Sequence, residues 1–244
     1  MTRTYGQSGP ARDPFDGILL VDKPAGMTSH DVVDSVRRRF RLQKVGHAGT
    51  LDPQCTGLLI LLLGRGTKLA ERLMGADKVY EGIMRLGIAT DTQDAQGKVL
   101  REGDWSGVTE DALRAQMEKM QGDLMHTPPM VSAVKQGGVP LYKLARKGRT
   151  VERKAKLVHI YYFRLNSFEP PMASFDLKCT KGVYVRTLCS EIGDALGCGA
   201  HLAGLKRTRS GERLLADARP LGDILKMDVS ALSEAVIPMN RVRE

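Results

Sequence analysis

A turn motif followed by an unbroken apolar run is the feature that most constrains the fold of this chain. The motif HAGTLDPQCTG covers residues 47–57, and the run LLILLL fills 58–63. A short continuous apolar run is typical of a strand that is buried on both faces. Gly49 and Gly57 permit tight bends, and the proline fixes its own φ. We therefore expect Asp52 to be held rigidly at the edge of the core.

The fixed carboxylate of Asp52 is a candidate nucleophile or general base. Catalytic groups need rigid presentation, because reaction geometry tolerates little slack. His47 lies in the same motif and is the first candidate for a partner. An Asp-Pro pair also forms ordinary turns without a catalytic role, so the motif alone leaves both interpretations open.

The composition indicates a globular protein without membrane spans. The 244 residues are 42% hydrophobic and 27% charged. No apolar run approaches the roughly 18 residues that a membrane-spanning helix needs. Residues 1–16 have no apolar signal-peptide core, and we expect them to form a flexible leader. A cytoplasmic protein is the expectation, and the length alone fits one large domain or two small ones.

No sequence pattern predicts a metal, a disulfide framework or a nucleotide cofactor. The four cysteines are not paired as CxxC, and no histidine stands at metal-ligand spacing from them. Residues 64–68 lack the Walker spacing, and no GxGxxG follows a predicted strand. No GxSxG elbow of a serine hydrolase occurs either. We expect neither a metal nor a cofactor.

Positive charge is concentrated in one segment. The net charge is +9, and residues 135–156 hold eight cations against one anion, which gives +7 for that segment. A local excess of this kind predicts a polyanionic partner, most commonly a phosphate backbone. A solvated charged face is the alternative. The candidate contacts to such a backbone are Lys135, Lys143, Arg146, Lys147 and Arg149.

Hydrophobic periodicity predicts interleaved strands and helices. The predicted strands are 17–22, 58–63, 79–86, 156–168, 173–179 and 201–208. The predicted helices are 29–40, 67–74, 109–120, a short basic one at 141–147, and 185–196. An extended loop is predicted at 126–138, which contains a Pro-Pro and a Gly-Gly pair.

Further motifs accompany the Asp52 turn, in order, along residues 17–213. They are GILLVDKPAGMTSHDVV (17–33), KVY (78–80), RLGIATDTQDAQG (85–97), HTPPMVSAVK (126–135), KGVYVRT (181–187), and GAHL (199–202) ahead of LKR (205–207). Together with the turn, these motifs resemble the bacterial tRNA pseudouridine-55 synthases of the TruB type. Several separate motifs in order are far more specific than one short pattern.

The resemblance implies an α+β pseudouridine synthase fold. Its mixed, mainly antiparallel central sheet is flanked by helices, and the active cleft crosses the middle of the sheet. Residues 17–244 would form one catalytic domain, with a basic insertion at about 124–156 that grips the T arm of tRNA. The PUA-type C-terminal RNA-binding domain of many relatives is expected to be absent. A monomer is expected, since each chain would carry its own cleft.

The resemblance also implies roles for individual residues. Asp52 is the catalytic carboxylate, Arg186 pairs with it, and Tyr80 packs against the target base. His47 contacts the flipped nucleotide or fills the space that it leaves, and Leu205 lines the uracil pocket. The remaining matched positions in or near the cleft are Tyr184, Lys68 and Asp94.

The implied activity is the isomerisation of uridine-55 in the T loop of tRNA to pseudouridine. The base must leave its stack before its N1 bond breaks and C5 joins the same sugar. Arg186 is expected to lower the pKa of Asp52 and keep it ionised. Attack on the sugar, attack on the base and abstraction of the C2′ proton remain open, because each uses one carboxylate.

Two other functions remain open at this point. A tRNA-binding folding factor with secondary or no catalysis would account for the positive charge, but it would not need an ionised acid in an RNA cleft. A synthase acting on another stem-loop would share every motif, because the motifs read the flipped uridine more than its surroundings. The position of the target uridine is inherited from the resemblance alone.

Overall fold

The computed structural model describes residues 15–132, 135–140 and 151–242, and a mixed β-sheet organises them. The strands are β1 Gly17–Lys23, β2 Val45–Ala48, β3 Thr56–Leu63, β4 Lys78–Leu86, β5 Ile88–Thr90, β6 Val99–Glu102, β7 Gly122–His126, β8 Lys135–Gln136, β9 Val139–Pro140, β10 Lys156–Glu169, β11 Met172–Cys179, β12 Ala200–Ser210, β13 Arg213–Leu214, β14 Arg219–Pro220 and β15 Ile237–Pro238.

Eleven of the strands in the described ranges form the main sheet. Its order is β14-β1-β3-β12-β4-β11-β10-β7, with β2 beside β3, β13 beside β12 and β15 beside β1. The pairs β1–β14 and β3–β12 are parallel, and the other pairs are antiparallel. This confirms the predicted mixed, mainly antiparallel sheet. Two hairpins, β5–β6 and β8–β9, stand apart from it.

The sheet divides where β12 meets β3. These strands share two residue pairs, Lys206↔Thr56 and Arg207↔Gly57, whereas β12 pairs with β4 along almost its whole length. The first part of β12 therefore has no β3 neighbour. The turn 49–55, which precedes β3, lies over the opening that results.

The apolar run of β3 is buried on both faces, as its sequence predicts. All six residues of 58–63 are at most 1% exposed. Leu59, Leu61 and Leu63 join the larger core, while the alternate residues Leu58, Ile60 and Leu62 join a second core on the opposite face. Burial on two faces anchors the turn that precedes the strand.

Helices cover both faces of the sheet. They are α1 Ser29–Phe40, α2 Ala70–Gly75, α3 Glu110–Lys119, α4 Val185–Ala195, α5 Leu221–Ile224 and α6 Val229–Ala235, with 3-10 helices at Gly64–Leu69, Leu215–Asp217 and Met239–Arg241. The valines of α1, the inward residues of α3 and the apolar face of α4 pack into the larger core. None of the helices in the described part of the chain is both long and apolar enough to span a membrane.

Thr28 fixes the start of α1 through a capping box. The Thr28 Oγ accepts a hydrogen bond from the Asp31 N–H at 3.0 Å, and the Asp31 carboxylate accepts one from the Thr28 N–H at 2.8 Å. At the other end Arg39 donates to the carbonyls of Leu225 and Met227 at 2.8 and 2.6 Å. Arg39 thus joins α1 to the segment after α5.

Several predicted elements need correction. The segment predicted as a loop at 126–138 begins at the end of β7 and contains the first strand of the β8–β9 hairpin. The helix predicted at 67–74 is a 3-10 helix followed by α2. The short elements between 213 and 241 were not predicted. The predicted basic helix 141–147 lies outside the described residues, with Lys143, Arg146, Lys147 and Arg149.

Candidate active site

A cleft of about 1510 Å³ opens at the division of the sheet. Its lining includes the Asp52 turn, Tyr80 of β4, Leu205 of β12 and the first residues of α4. The N-terminus of α1 and residues 130–132 close its sides. Asp52 therefore sits where several parts of the chain that are distant in sequence come together.

Arg186 positions the carboxylate of Asp52. Its Nη2 lies 3.3 Å from Asp52 Oδ2, and its Nη1 lies 3.9 Å from Asp94 Oδ2. The same guanidinium donates to the Val131 carbonyl at 2.7 Å and the Thr92 carbonyl at 3.3 Å. The Arg186 side chain is 4% exposed, whereas that of Asp52 is 41% exposed to the cleft. A buried, multiply bonded arginine thus presents an accessible carboxylate.

Burial raises the pKa of Asp52 above its ordinary value, and this corrects the predicted lowering. Desolvation of the carboxylate is the largest cause, the charge of Arg186 opposes it, and the charge of Asp94 adds to it. The carboxylate is packed among protein atoms, which raises its pKa, and part of it is still open to the cleft. Arg186 limits the rise of the pKa but does not reverse it.

Ser29 ties the Asp52 turn to α1. Its hydroxyl donates to the Leu51 carbonyl at 3.1 Å and accepts from the Leu51 N–H at 2.9 Å. The residue is 1% exposed, so these groups have no access to water as a substitute partner. Leu51, the residue directly before Asp52, is therefore held through both its N–H and its carbonyl.

Lys23 ties the same turn to β1. It is fully buried, and its ammonium donates to the carbonyls of Pro24, Met27 and Pro53 at 2.8, 2.6 and 3.1 Å. Burial lowers the pKa of this lysine, and the nearby charge of Asp52 is among the causes that oppose the shift. A single ammonium thereby links the end of β1 with the residue that follows Asp52.

The two tyrosines expected at the site both line the cleft. Tyr80 is 9% exposed, and burial raises the pKa of its phenol to about 12, so the ring carries a neutral hydroxyl. Tyr184 directly precedes α4, and its N–H donates to His126 Nε2 at 2.9 Å. The rings of Tyr184 and His126 stack with their centroids 6.1 Å apart. His126 therefore fixes the start of the helix that carries Arg186.

His47 and Leu205 also line the cleft. His47 lies on β2 opposite Leu61 of β3. Burial lowers the pKa of His47, and the positive charge of Arg207 lowers it further. Within the described residues its Nδ1 is buried without a hydrogen-bond partner. The imidazole is thus a neutral group in the lining of the cleft.

Of the two remaining predicted positions, the structure places Asp94 near the site and Lys68 away from it. Asp94 is near the site, because it faces Arg186 and accepts hydrogen bonds from the Thr92 hydroxyl and the Gln96 N–H. Lys68 is exposed on the 3-10 helix Gly64–Leu69 and is not part of the cleft lining. The eight-residue strand β3, roughly 26 Å long at about 3.3 Å per residue, separates that helix from the Asp52 turn.

Three buried cations at the site were not recognised from the sequence. They are Lys23, Lys78 and Arg207, which are 0%, 6% and 1% exposed. Lys78 donates to the carbonyls of Met74 and Ala76, and burial lowers its pKa to about 8. Strand alternation was the available signal, because neighbouring residues in a strand face opposite sides and Lys206 is exposed where Arg207 is buried.

The four cysteines are free and buried, as small apolar residues are. Among residues 15–132, 135–140 and 151–242, no group of three or more His, Cys, Asp or Glu side chains is placed to hold a metal ion.

Comparison with protein families gives two matches that together span most of the chain. Residues 37–185 match the family described as TruB family pseudouridylate synthase, N-terminal domain. Residues 186–242 match the tRNA pseudouridylate synthase B C-terminal domain. The boundary between the two matches falls at Arg186, so the carboxylate and the arginine of the site come from different matched regions.

Curated proteins named tRNA pseudouridine synthase B are similar over most of the chain. The protein from Opitutus terrae is 48% identical over 228 residues, which cover 93% of this chain and 95% of that protein. The protein from Pseudomonas aeruginosa is 46% identical over 225 residues, covering 92% of this chain and 74% of the relative.

Solved structures with the same fold include RNA-protein complexes. A chain in the crystal structure of a Cbf5-Nop10-Gar1 complex aligns with a TM-score of 0.72 at 29% identity, covering 93% of this chain and 61% of that one. A chain of an H/ACA RNP bound to a substrate RNA containing 2′-deoxyuridine aligns with a TM-score of 0.68 at 27% identity, covering 93% and 60%. This chain therefore spans about three fifths of the length of those two.

Proposed function

The chain belongs to the TruB family of pseudouridylate synthases, and we infer that it converts uridine-55 of tRNA to pseudouridine. It is an isomerase, since the uracil leaves and rejoins the same ribose. The relatives that are 45–50% identical over most of this chain carry the name tRNA pseudouridine synthase B. The side chains that line the cleft support the same activity.

The observation that carries this proposal is the pairing of Asp52 with Arg186. The isomerisation needs one carboxylate that is ionised, fixed in direction and open to the substrate. Arg186 supplies the fixed direction, because it is buried and also bonded to two backbone carbonyls. The exposed 41% of the Asp52 side chain supplies the access. A pure RNA-binding surface has no use for such an arrangement.

The walls of the cleft suit a uracil that has left its stack. Tyr80 offers an aromatic ring, and stacking of a base on an aromatic side chain contributes roughly 1–3 kcal/mol. Leu205 adds an apolar surface beside it. The neutral imidazole of His47 stands at the same opening without adding charge. These groups replace part of the stacking energy that base flipping costs.

Asp52 acts in its ionised form in each of the three possible routes. Attack on the sugar, attack on the base and removal of the C2′ proton all start from the carboxylate. Asp94 has a different role in this proposal, because it faces Arg186 at 3.9 Å and does not belong to the cleft lining. It would help to hold Arg186 in the orientation that binds Asp52.

The basic segment 135–156 is proposed to hold the T arm of the tRNA. Its net charge of +7 supports this, since phosphate contacts supply most of the sequence-independent affinity for RNA. We further propose that the protein works as a monomer, because each chain has its own cleft, and that it works in the cytoplasm, because its proposed substrate is tRNA.

The test is a map of pseudouridine in a defined tRNA. An unmodified tRNA transcript is incubated with the protein, and pseudouridine is located by chemical labelling and mass spectrometry. A transcript with cytidine in place of uridine-55 is the matched control. Modification confined to uridine-55 supports the proposal. Tight binding of the tRNA without any pseudouridine would favour the folding factor, and modification at another uridine would change the substrate.

A further inference from the structure

Arg207 occupies the point where the two parts of the sheet meet. It lies on β12 opposite Tyr80 of β4 on one side and opposite Gly57 of β3 on the other. The side chain is among the largest that are fully buried, at 1% exposure. Its place in the fold therefore puts a guanidinium directly behind the turn that carries Asp52.

The guanidinium joins the first residue of that turn to β3, the strand that follows it. Its Nε donates to the Leu58 carbonyl at 2.8 Å, and its Nη2 donates to the Gly49 carbonyl at 3.0 Å. The first carbonyl follows Asp52 in the chain and the second precedes it. Gly49 leaves room for this contact, because a Cβ at that position would lie 3.3 Å from Nη1.

The charge of Arg207 also acts on two side chains of the cleft. Burial lowers the pKa of His47 and this charge lowers it further, whereas burial raises the pKa of Tyr80 and this charge opposes the rise. Within the described ranges, none of the ion pairs formed by acidic side chains includes Arg207. Its hydrogen bonds are directed at backbone carbonyls, which set geometry more than they neutralise charge.

We infer that Arg207 is a positioning residue of the reaction, which holds the Asp52 turn and Tyr80 at a fixed separation. This inference rests on the proposed function, because it assigns Arg207 to the isomerisation. Arg207 does not reach the reacting atoms in this account. It acts through the backbone on either side of Asp52, and through the strand pairing with Tyr80, the tyrosine on which the base would stack.

The test compares Arg207→Lys with Arg209→Lys in the full chain. Arg209 lies two residues further along β12, is 46% exposed, and bonds the Gly211 carbonyl and Glu212. A lysine at 207 keeps the charge but cannot span both carbonyls. We expect kcat for tRNA to fall about 100-fold, as a misplacement of about 1 Å would produce, with KM within about threefold. Arg209→Lys should leave both constants unchanged.

A folded Arg207→Lys variant that keeps the kcat of the wild type, or that changes KM alone, would overturn the inference. If the lysine variant does not fold, Arg207→Gln takes its place, since its shorter side chain cannot span both carbonyls. An unchanged kcat there would equally contradict the positioning role. Folding is checked by thermal unfolding in each case.

A second readout does not depend on activity. The pKa of His47, followed by NMR, should rise in Arg207→Gln, because a positive charge next to the imidazole is removed. Arg209→Gln should leave it unchanged. An unchanged His47 in Arg207→Gln would show that the guanidinium does not stand where it is placed here. If the wild type forms no pseudouridine, the proposed function fails, but this measurement still reports on the arrangement of Arg207.

Discussion

Among single residues, Asp52 shows how burial and two neighbouring charges set the state of one carboxylate. Its pKa is raised by burial, held down by Arg186 and raised again by Asp94. Because the ionised form is the active one, the rate should decline as the pH falls through the raised pKa. The decline therefore begins at a higher pH than for an ordinary aspartate.

The Asp94→Asn variant tests the sign of this coupling. Removing the second negative charge lowers the pKa of Asp52, so the acidic limb of the rate should move to lower pH. The single-turnover rate of pseudouridine formation, measured across the acidic range, gives the position of the limb. Asp91→Asn is the control, since the shift of Asp52 has no contribution from Asp91. A limb that moves to higher pH in Asp94→Asn would contradict a direct effect of the Asp94 charge, and would mean that Asp94 acts on Asp52 mainly by holding Arg186.

Residue types that carry chemistry were found in the sequence more readily than those that support them. The turn motif predicts a catalytic role for Asp52, and the KGVYVRT motif predicts, through the family resemblance, that Arg186 pairs with it. Lys23 and Arg207 were missed. Strand alternation indicates which side chains point inwards, but it does not show which carbonyls they bond, and these lie up to 158 residues away in the chain.

Among the secondary-structure elements, the contact of α1 with the Asp52 turn should affect both the stability of the protein and the rate of the reaction. Ser29→Ala leaves the buried N–H and carbonyl of Leu51 without their partner, which should cost about 1–3 kcal/mol of unfolding free energy. It should also lower the single-turnover rate by roughly tenfold, because the turn gains freedom. Chemical denaturation and the tRNA assay measure the two effects.

Ser35→Ala in the same helix is the matched control. The Ser35 hydroxyl donates to the Asp31 carbonyl at 2.8 Å and does not touch the turn. We expect little change in the rate for this variant. If Ser29→Ala and Ser35→Ala were equal in stability and in rate, the contact of Ser29 with Leu51 would not be what fixes the turn.

Strands and helices with strong periodicity were predicted closely, and irregular ones were not. The apolar run at 58–63 and the valine face of α1 gave β3 and α1 almost residue by residue. The hairpin β8–β9 and the short strands β13 to β15 were missed. Each has two residues, too few for a hydrophobic period to appear. β14 and β15 moreover pair with β1, which lies near the other end of the chain.

For the whole molecule, the uneven charge predicts how tRNA binding depends on salt. Replacing Arg146, Lys147 and Arg149 by glutamine should weaken binding and make it less sensitive to salt. Each phosphate contact that is lost lowers the slope of log K against log salt by about 0.7–0.9. Three contacts correspond to a change of roughly 2–3 in the slope. Filter binding at a series of salt concentrations measures it.

The control removes the same charge elsewhere. Arg37→Gln, Arg38→Gln and Lys226→Gln together lower the net charge equally, at exposed residues that pair with Asp34 and Asp223. This variant should keep most of the affinity and nearly the whole slope. Equal losses in the two triple variants would mean that binding follows total charge, and the basic segment would have no special part in it.

We propose that Asp52 performs the chemistry while the rest of the cleft binds and places the uridine. The most direct measurement is the yield of pseudouridine at uridine-55, together with the tRNA dissociation constant, for the wild type and Asp52→Asn. We predict that the variant binds tRNA within about threefold of the wild type and forms no detectable pseudouridine, because an amide cannot replace the ionised carboxylate. Pseudouridine formed by Asp52→Asn at a rate close to that of the wild type would contradict the claim.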